Sequence, residues 1–110
     1  MEVTNKYWQS THEEISNQTR TILNEYLLSL KLENKAVATI IKYRRILERF
    51  LIKCTTPLEE LTSVEVRRWL NGFSVNKKPK TIDLVLATLS SFFNFCLEEE
   101  YMENTVMKKR

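Results

Sequence analysis

Apolar residues recur at helical spacing in four separate runs along the chain. In the first, Ile15, Ile22, Leu23, Tyr26, Leu27 and Leu30 fall on one side of a helix that reaches about Leu32. Thr11-His12-Glu13-Glu14 has the form of a capping box and is expected to open it; Glu33-Asn34 breaks the pattern. The second run spans Val37 to Lys53 and puts Ile40, Tyr43, Leu47, Phe50 and Leu51 on one face. Cys54-Thr55-Thr56-Pro57 ends it, because the residue before a proline is pushed out of helical geometry. After a short link, Leu58 to Leu61, a second capping box, Thr62-Ser63-Val64-Glu65, starts a short third helix with Val66, Trp69, Leu70 and Phe73 inward. Asn71-Gly72 offers a left-handed C-cap, which predicts that this helix stops just before Phe73. Ser74 to Lys78 is a polar, basic loop. Pro79 suits the first turn of a fourth helix, where its missing N–H costs nothing. That helix is predicted to reach about Glu100, with Ile82, Val85, Leu86, Leu89, Phe93 and Cys96 along its main buried face and Phe92, Phe95 and Leu97 widening it.

The two ends lack this periodicity. Residues 1–10 are expected to be a flexible lead-in, with Tyr7 and Trp8 available to dock. Residues 11–103 are expected to form one helical domain, and residues 104–110 the start of a linker. Composition agrees with a bundle: only one Gly and two Pro occur in 110 residues, too few for the turns a sheet protein needs. At 43% hydrophobic and 28% charged residues the chain is globular rather than disordered. The fold class expected is all-α, a four-helix orthogonal bundle. Cys54 and Cys96 lie in apolar helical patterns without CxxC spacing, which predicts buried reduced thiols. No secretory segment and no apolar run close to a membrane span is apparent, so a soluble cytoplasmic protein is expected, without a membrane partner.

The net charge of +3 is modest, but the cations are not evenly spread. The first helix leans acidic. The second carries Lys35, Lys42, Arg44, Arg45, Arg49 and Lys53 against Glu48 alone. Lys35, Lys42, Arg45, Arg49 and Lys53 fall on one stripe, roughly opposite the apolar face. Lys77, Lys78 and Lys80 form a second cluster around the start of the fourth helix. Two readings compete for the stripe: a solvated helix face, or a surface for phosphates. A merely soluble helix would interleave signs, and the lack of acidic partners one turn away favours phosphates. Aligned cations release condensed counterions from DNA. A helix N-terminus adds free N–H groups, and Thr81 a hydroxyl.

At these residues a family resemblance emerges. The stretch Ala38-Thr39-Ile40-Ile41-Lys42-Tyr43-Arg44-Arg45-Ile46-Leu47-Glu48-Arg49-Phe50-Leu51 resembles the second helix of tyrosine recombinase (phage integrase) core-binding domains. Pro57-Leu58-Glu59-Glu60-Leu61-Thr62 resembles that family's connector. Lys80-Thr81-Ile82, followed by Leu86, Leu89 and Ser91-Phe92-Phe93-Asn94-Phe95, resembles its fourth helix. Order and spacing agree over roughly residues 17–108. The resemblance implies a SAM-like bundle forming half of a clamp on double-stranded DNA at a recombination core site. Its further partners would be a catalytic domain of the same parent chain and other recombinase protomers on DNA, in a prokaryotic or phage-derived setting. It implies DNA-facing positions at Lys35, Thr39, Lys42, Arg45 and Arg49 on the second helix, and at Lys77, Lys78, Lys80 and Thr81 around the fourth. Lysines would hold phosphates and Arg45 would reach a guanine edge. Arg68, on the third helix, is expected to lie off this face. Tyr43 shares a face with Ile40 and Leu47 and belongs with the core. The fourth helix departs from the family in carrying Asp83, Leu84, Val85, Ser90 and Asn94 where relatives often have cations.

The family's strand-cleaving chemistry needs a tyrosine nucleophile, arginines and a His-x-x-Arg element. The only histidine, His12, has no Arg three residues on, and no tyrosine sits in an electrophilic cluster. The chain is therefore expected to be non-catalytic, without cofactor or metal. The alternative is a helical protein-interaction module, or a stand-alone regulator of a recombinase, using an apolar patch of Trp8, Leu28, Ile41 and Leu84.

Overall fold

The computed structural model describes residues 6–106. Among them it has no strand and four α-helices: α1 Asn17–Leu32, α2 Val37–Lys53, α3 Ser63–Phe73 and α4 Pro79–Glu98, with a 3-10 turn, Leu58–Glu60, before α3. The all-α bundle expected from the periodicity is the observed architecture. α1, α2 and α4 pack on one another, and α3 joins them through aromatic contacts.

α1 starts later than its sequence suggests. Its N-cap is Ser16, whose hydroxyl accepts from the Thr19 N–H at 3.3 Å. The box at Thr11 does not form. Arg20, one turn into α1, reaches back to the carbonyls of His12 (2.8 Å) and Ile15 (3.4 Å) and closes a tight turn there. Ile15 is buried all the same. α1 ends through Asn34, at φ 64°, a left-handed conformation that asparagine tolerates. Lys35 N–H then bonds the Leu30 carbonyl at 3.1 Å.

The box at Thr62 does form: the Glu65 N–H donates to Thr62 Oγ1 at 3.3 Å, and the Thr62 N–H to Glu65 Oε1 at 3.2 Å. The second Glu65 oxygen accepts the Thr56 hydroxyl at 2.7 Å, fastening α3 to the α2 exit. The hydrogen bonds from Thr56 and Thr62 hold this carboxyl below its usual range. Gly72 does not end α3. The helix continues through Phe73, and the left-handed residue is Asn76, at φ 62°.

α4 stops at Glu98, and Glu100 turns the chain at φ 67°. Val85, Leu89, Phe92, Phe93 and Cys96 are buried at the centre of the bundle. Ile82 and Leu86 are not part of that core: Ile82 is half-buried and Leu86 is 37% exposed. They line an open depression towards α3, beside Val64 and Leu70, that no other element among the described residues fills. Thr88 is buried in their stead, its hydroxyl donating to the Leu84 carbonyl at 2.8 Å. By length and composition α4 is apolar enough to cross a membrane, contrary to the expectation from the sequence. In this fold Val85, Leu89, Phe92, Phe93 and Cys96 of that helix supply the bundle core, while Ile82, Leu84 and Leu86 remain partly accessible.

Tyr26 ties α1 to α4. Its ring meets Phe92 edge-on at 5.4 Å and lies 5.4 Å from Phe95, and its hydroxyl pairs with Ser91 at 2.7 Å. Burial pushes its pKa up to about 12. Residues 6–10, in the segment expected as a lead-in, lie on α1 and α2. Ser10 is 2% exposed; its N–H donates to Asn24 Oδ1 and its hydroxyl to Glu48 Oε2, each at 2.6 Å. After α4, Met102 and Val106 are buried and the Tyr101 hydroxyl donates to Glu25. Residues 1–5 and 107–110, which include the rest of the lead-in and of the expected linker, lie outside the described residues.

Candidate nucleic-acid interface

Turning Ile40, Leu47, Phe50 and Leu51 into the core leaves Lys42, Arg45, Arg49 and Lys53 exposed on the outer face of α2, while Lys35, expected on this helix, is exposed just before it. The acidic residue of this helix, Glu48, faces elsewhere. It accepts from Ser10 and lies 3.8 Å from the Arg44 guanidinium. Arg44 in turn donates to the Tyr7 carbonyl at 2.8 Å. Arg44 and Glu48 thus secure the N-terminal segment, and no ion pair among the described residues involves the stripe.

α2 and α4 enclose a cleft of about 640 Å³. Lys42, Arg45, Arg49 and Thr81 line it together with Ala38, Ile41, Ile46, Phe73, Leu84 and Val85. A neighbouring depression of about 410 Å³ is lined by Arg49, Lys53, Arg68, Trp69, Gly72, Phe73 and Lys77. Arg49 and Phe73 border both.

Phe73 organises this junction. The Arg49 guanidinium carbon is 5.5 Å, and the Lys77 ammonium 4.8 Å, from its ring centroid. A cation over an aromatic face is attracted by the ring quadrupole, by roughly 0.5–1 kcal/mol at exposed sites. Phe73 stacks on Trp69 at 5.1 Å and 18°. Trp69 meets the buried Phe50 edge-on at 5.2 Å. A chain of rings therefore runs from the core to the surface and holds cations from α2 and from the α3–α4 loop beside each other.

The structure brings Lys42, Arg45, Arg49 and Thr81 into one cleft, and joins Lys77 to Arg49 through Phe73. Lys35, Lys78 and Lys80 are exposed and Thr39 is half-buried; they line neither depression. Lys78 is the N-cap of α4, and no side chain caps that helix start. Arg68 departs from its expected place, since it shares a depression with Arg49, Lys53 and Lys77. Its proximity to Trp69 in sequence was the available signal: the packing of Trp69 on Phe50 swings α3 towards α2. Of the apolar patch considered from the sequence, Ile41 and Leu84 line the cleft, Leu28 is 40% exposed on α1, and Trp8 is half-buried with the Lys31 ammonium 4.9 Å from its ring. Both cysteines are free thiols; Cys96 is buried as expected, whereas Cys54, at the end of α2, is only half-buried. Burial pushes the Cys96 thiol pKa up to about 12.

A family model described as phage integrase, N-terminal SAM-like domain, matches residues 22–103. The match takes in α2, α3 and α4 whole and most of α1. No curated protein and no solved structure matches the chain.

Proposed function

The chain belongs to the phage integrase N-terminal SAM-like domain family, and from that premise we propose that it binds duplex DNA as one half of a clamp on a recombination core site. The observation that carries this reading is the unpaired cationic face of α2, continued by Arg68 and Lys77 around Phe73. Lys42, Lys53, Arg68 and Lys77 neutralise phosphates, with Lys35, Lys78 and Lys80 extending the contact along the backbone. Arg45 and Arg49 carry planar forks able to pair with a guanine edge in the major groove. Thr39 and Thr81 add hydroxyl contacts from the two helices. Strand cleavage and rejoining fall to a catalytic domain of the parent recombinase, acting with other protomers on the same DNA, in a prokaryotic or phage-derived cytoplasm.

A fluorescence titration with short duplex DNA at two salt concentrations tests the reading. The expected non-specific dissociation constant is on the order of 10⁻⁴ to 10⁻⁶ M and rises steeply with salt. Folded protein that fails to bind at low salt would sink it. Lys42→Glu and Arg45→Glu should each weaken binding at least about tenfold, since each replaces an attraction by a repulsion at a phosphate. Lys31→Glu, on α1, should change it little. Equal losses at Lys31 and Arg45 would place the DNA on a different face.

A further inference from the structure

The cleft between α2 and α4 has a composition that phosphate binding does not explain. Its cations, Lys42, Arg45 and Arg49, share the lining with Ala38, Ile41 and Leu84. Ala38 is exposed, and Ile41 and Leu84 are half-buried. The bundle does not need these three for its core, which Ile40, Leu47, Val85 and Leu89 already close behind them. A polyanion drawn to the cations would thus be pressed against an apolar surface.

Resting on the DNA-binding reading, we propose that Ala38, Ile41 and Leu84 read the 5-methyl groups of thymines in the major groove. The groove presents N7 and O6 of guanine, N4 of cytosine, N7 and N6 of adenine and O4 of thymine, all polar; the apolar feature on its floor is the thymine methyl. An apolar side chain pressed on a G·C pair leaves those donors and acceptors without water and without partners. Against a methyl the same side chain buries carbon against carbon. The phosphates bordering the groove meet the cations while the methyls meet Ile41 and Leu84. The cleft therefore selects for thymine at the steps it covers, by contact on one side and by stranded polar groups on the other.

The test removes the methyl from the DNA and leaves the protein untouched. Affinity is measured for an alternating dA–dT duplex and for an alternating dA–dU duplex of the same length, which differ only in that methyl. The dA–dU duplex should bind about fourfold more weakly for each methyl buried, from roughly 0.8 kcal/mol per buried carbon. An alternating dG–dC duplex should conversely gain affinity when its cytosines carry a 5-methyl group. Ile41→Ala and Leu84→Ala should bring the dT-to-dU ratio towards one, whereas Lys42→Ala should weaken both duplexes and preserve the ratio. Equal affinity for the dT and dU duplexes overturns the inference and leaves DNA binding standing. Failure to bind either duplex overturns both. Binding to phosphatidylglycerol vesicles that duplex DNA does not displace would assign the cleft to an acyl chain and overturn it as well.

Discussion

Phe73 shows how one side chain can set the character of a surface. Arg49 comes from α2 and Lys77 from the α3–α4 loop, and left alone two cations repel. Both lie within reach of the Phe73 ring, whose π electrons attract each, and the stack on Trp69 keeps it from turning away. Phe73→Leu keeps most of the apolar bulk, so its stability loss should stay below about 1.5 kcal/mol. Affinity for duplex DNA should fall roughly three- to tenfold, because Arg49 and Lys77 lose their fixed positions and must be ordered on binding. Calorimetric melting and DNA titration on the same sample separate the two effects; unchanged affinity would mean that Phe73 is packing alone. The sequence marks Phe73 as an inward residue of α3, but helical periodicity says nothing about a cation delivered from another helix. Tyr26 gives a second test at this scale. Burial raises its pKa from the ordinary value of about 10 to about 12, so the folded state holds the phenolic proton through a range where the unfolded chain releases it. The unfolded state then binds fewer protons, and stability falls as pH rises. The contribution is fully present below about pH 10 and is lost towards about pH 12. Denaturant melts across that window should show the decline, and Tyr26→Phe should reduce it, leaving the part due to Cys96, pushed up to about 12 by burial, and to Tyr101, raised to about 12 by its hydrogen bond to Glu25.

At the scale of the element, α3 records a contest between local signals and packing. Its start is legible because the capping box is a local device, and both of its hydrogen bonds form. Its end is not, because Asn71-Gly72 carries a stop signal that the fold overrides. Stacking of Phe73 on Trp69 requires one more helical residue, so Gly72 stays helical and Asn76 takes the left-handed turn. A helical glycine gives up more backbone freedom on folding than alanine does, and a Cβ at Gly72 meets nothing within 4 Å. Gly72→Ala should therefore stabilise the protein by roughly 0.5–1 kcal/mol, raising the melting temperature by a few degrees. A lower melting temperature would contradict the helical assignment. The same contest explains α1. Thr11 and Ser16 both offer caps, and choosing between them depends on Arg20 reaching back to His12 and Ile15, a contact without a periodic signature. α2 poses no such choice: Glu33-Asn34 and Pro57 bound it, and its observed limits are those its apolar spacing predicts.

Across the whole molecule the charges are sorted. Glu98, Glu99, Glu100 and Glu103 are exposed around the end of α4, where the Tyr101 hydroxyl meets Glu25. The cations gather on α2 and at the loop before α4. Such a field turns the α2 face towards a polyanion before contact. The part of this face that lies within one helix was legible from 3.6-residue spacing. Arg68 was not, because its place beside Arg49, Lys53 and Lys77 depends on Phe50, Trp69 and Phe73 packing across three elements. That difference can be measured. Each phosphate contact contributes about −0.9 to the slope of log affinity against log salt. If Arg68 belongs to the interface, Arg68→Ala should make that slope shallower by nearly one, as Lys53→Ala should, while Lys31→Ala leaves it in place. A slope unchanged by Arg68→Ala would return α3 to a purely structural role and confine the interface to α2 and the start of α4. A slope lowered equally by all three would mean that the chain responds to net charge alone, without a defined face.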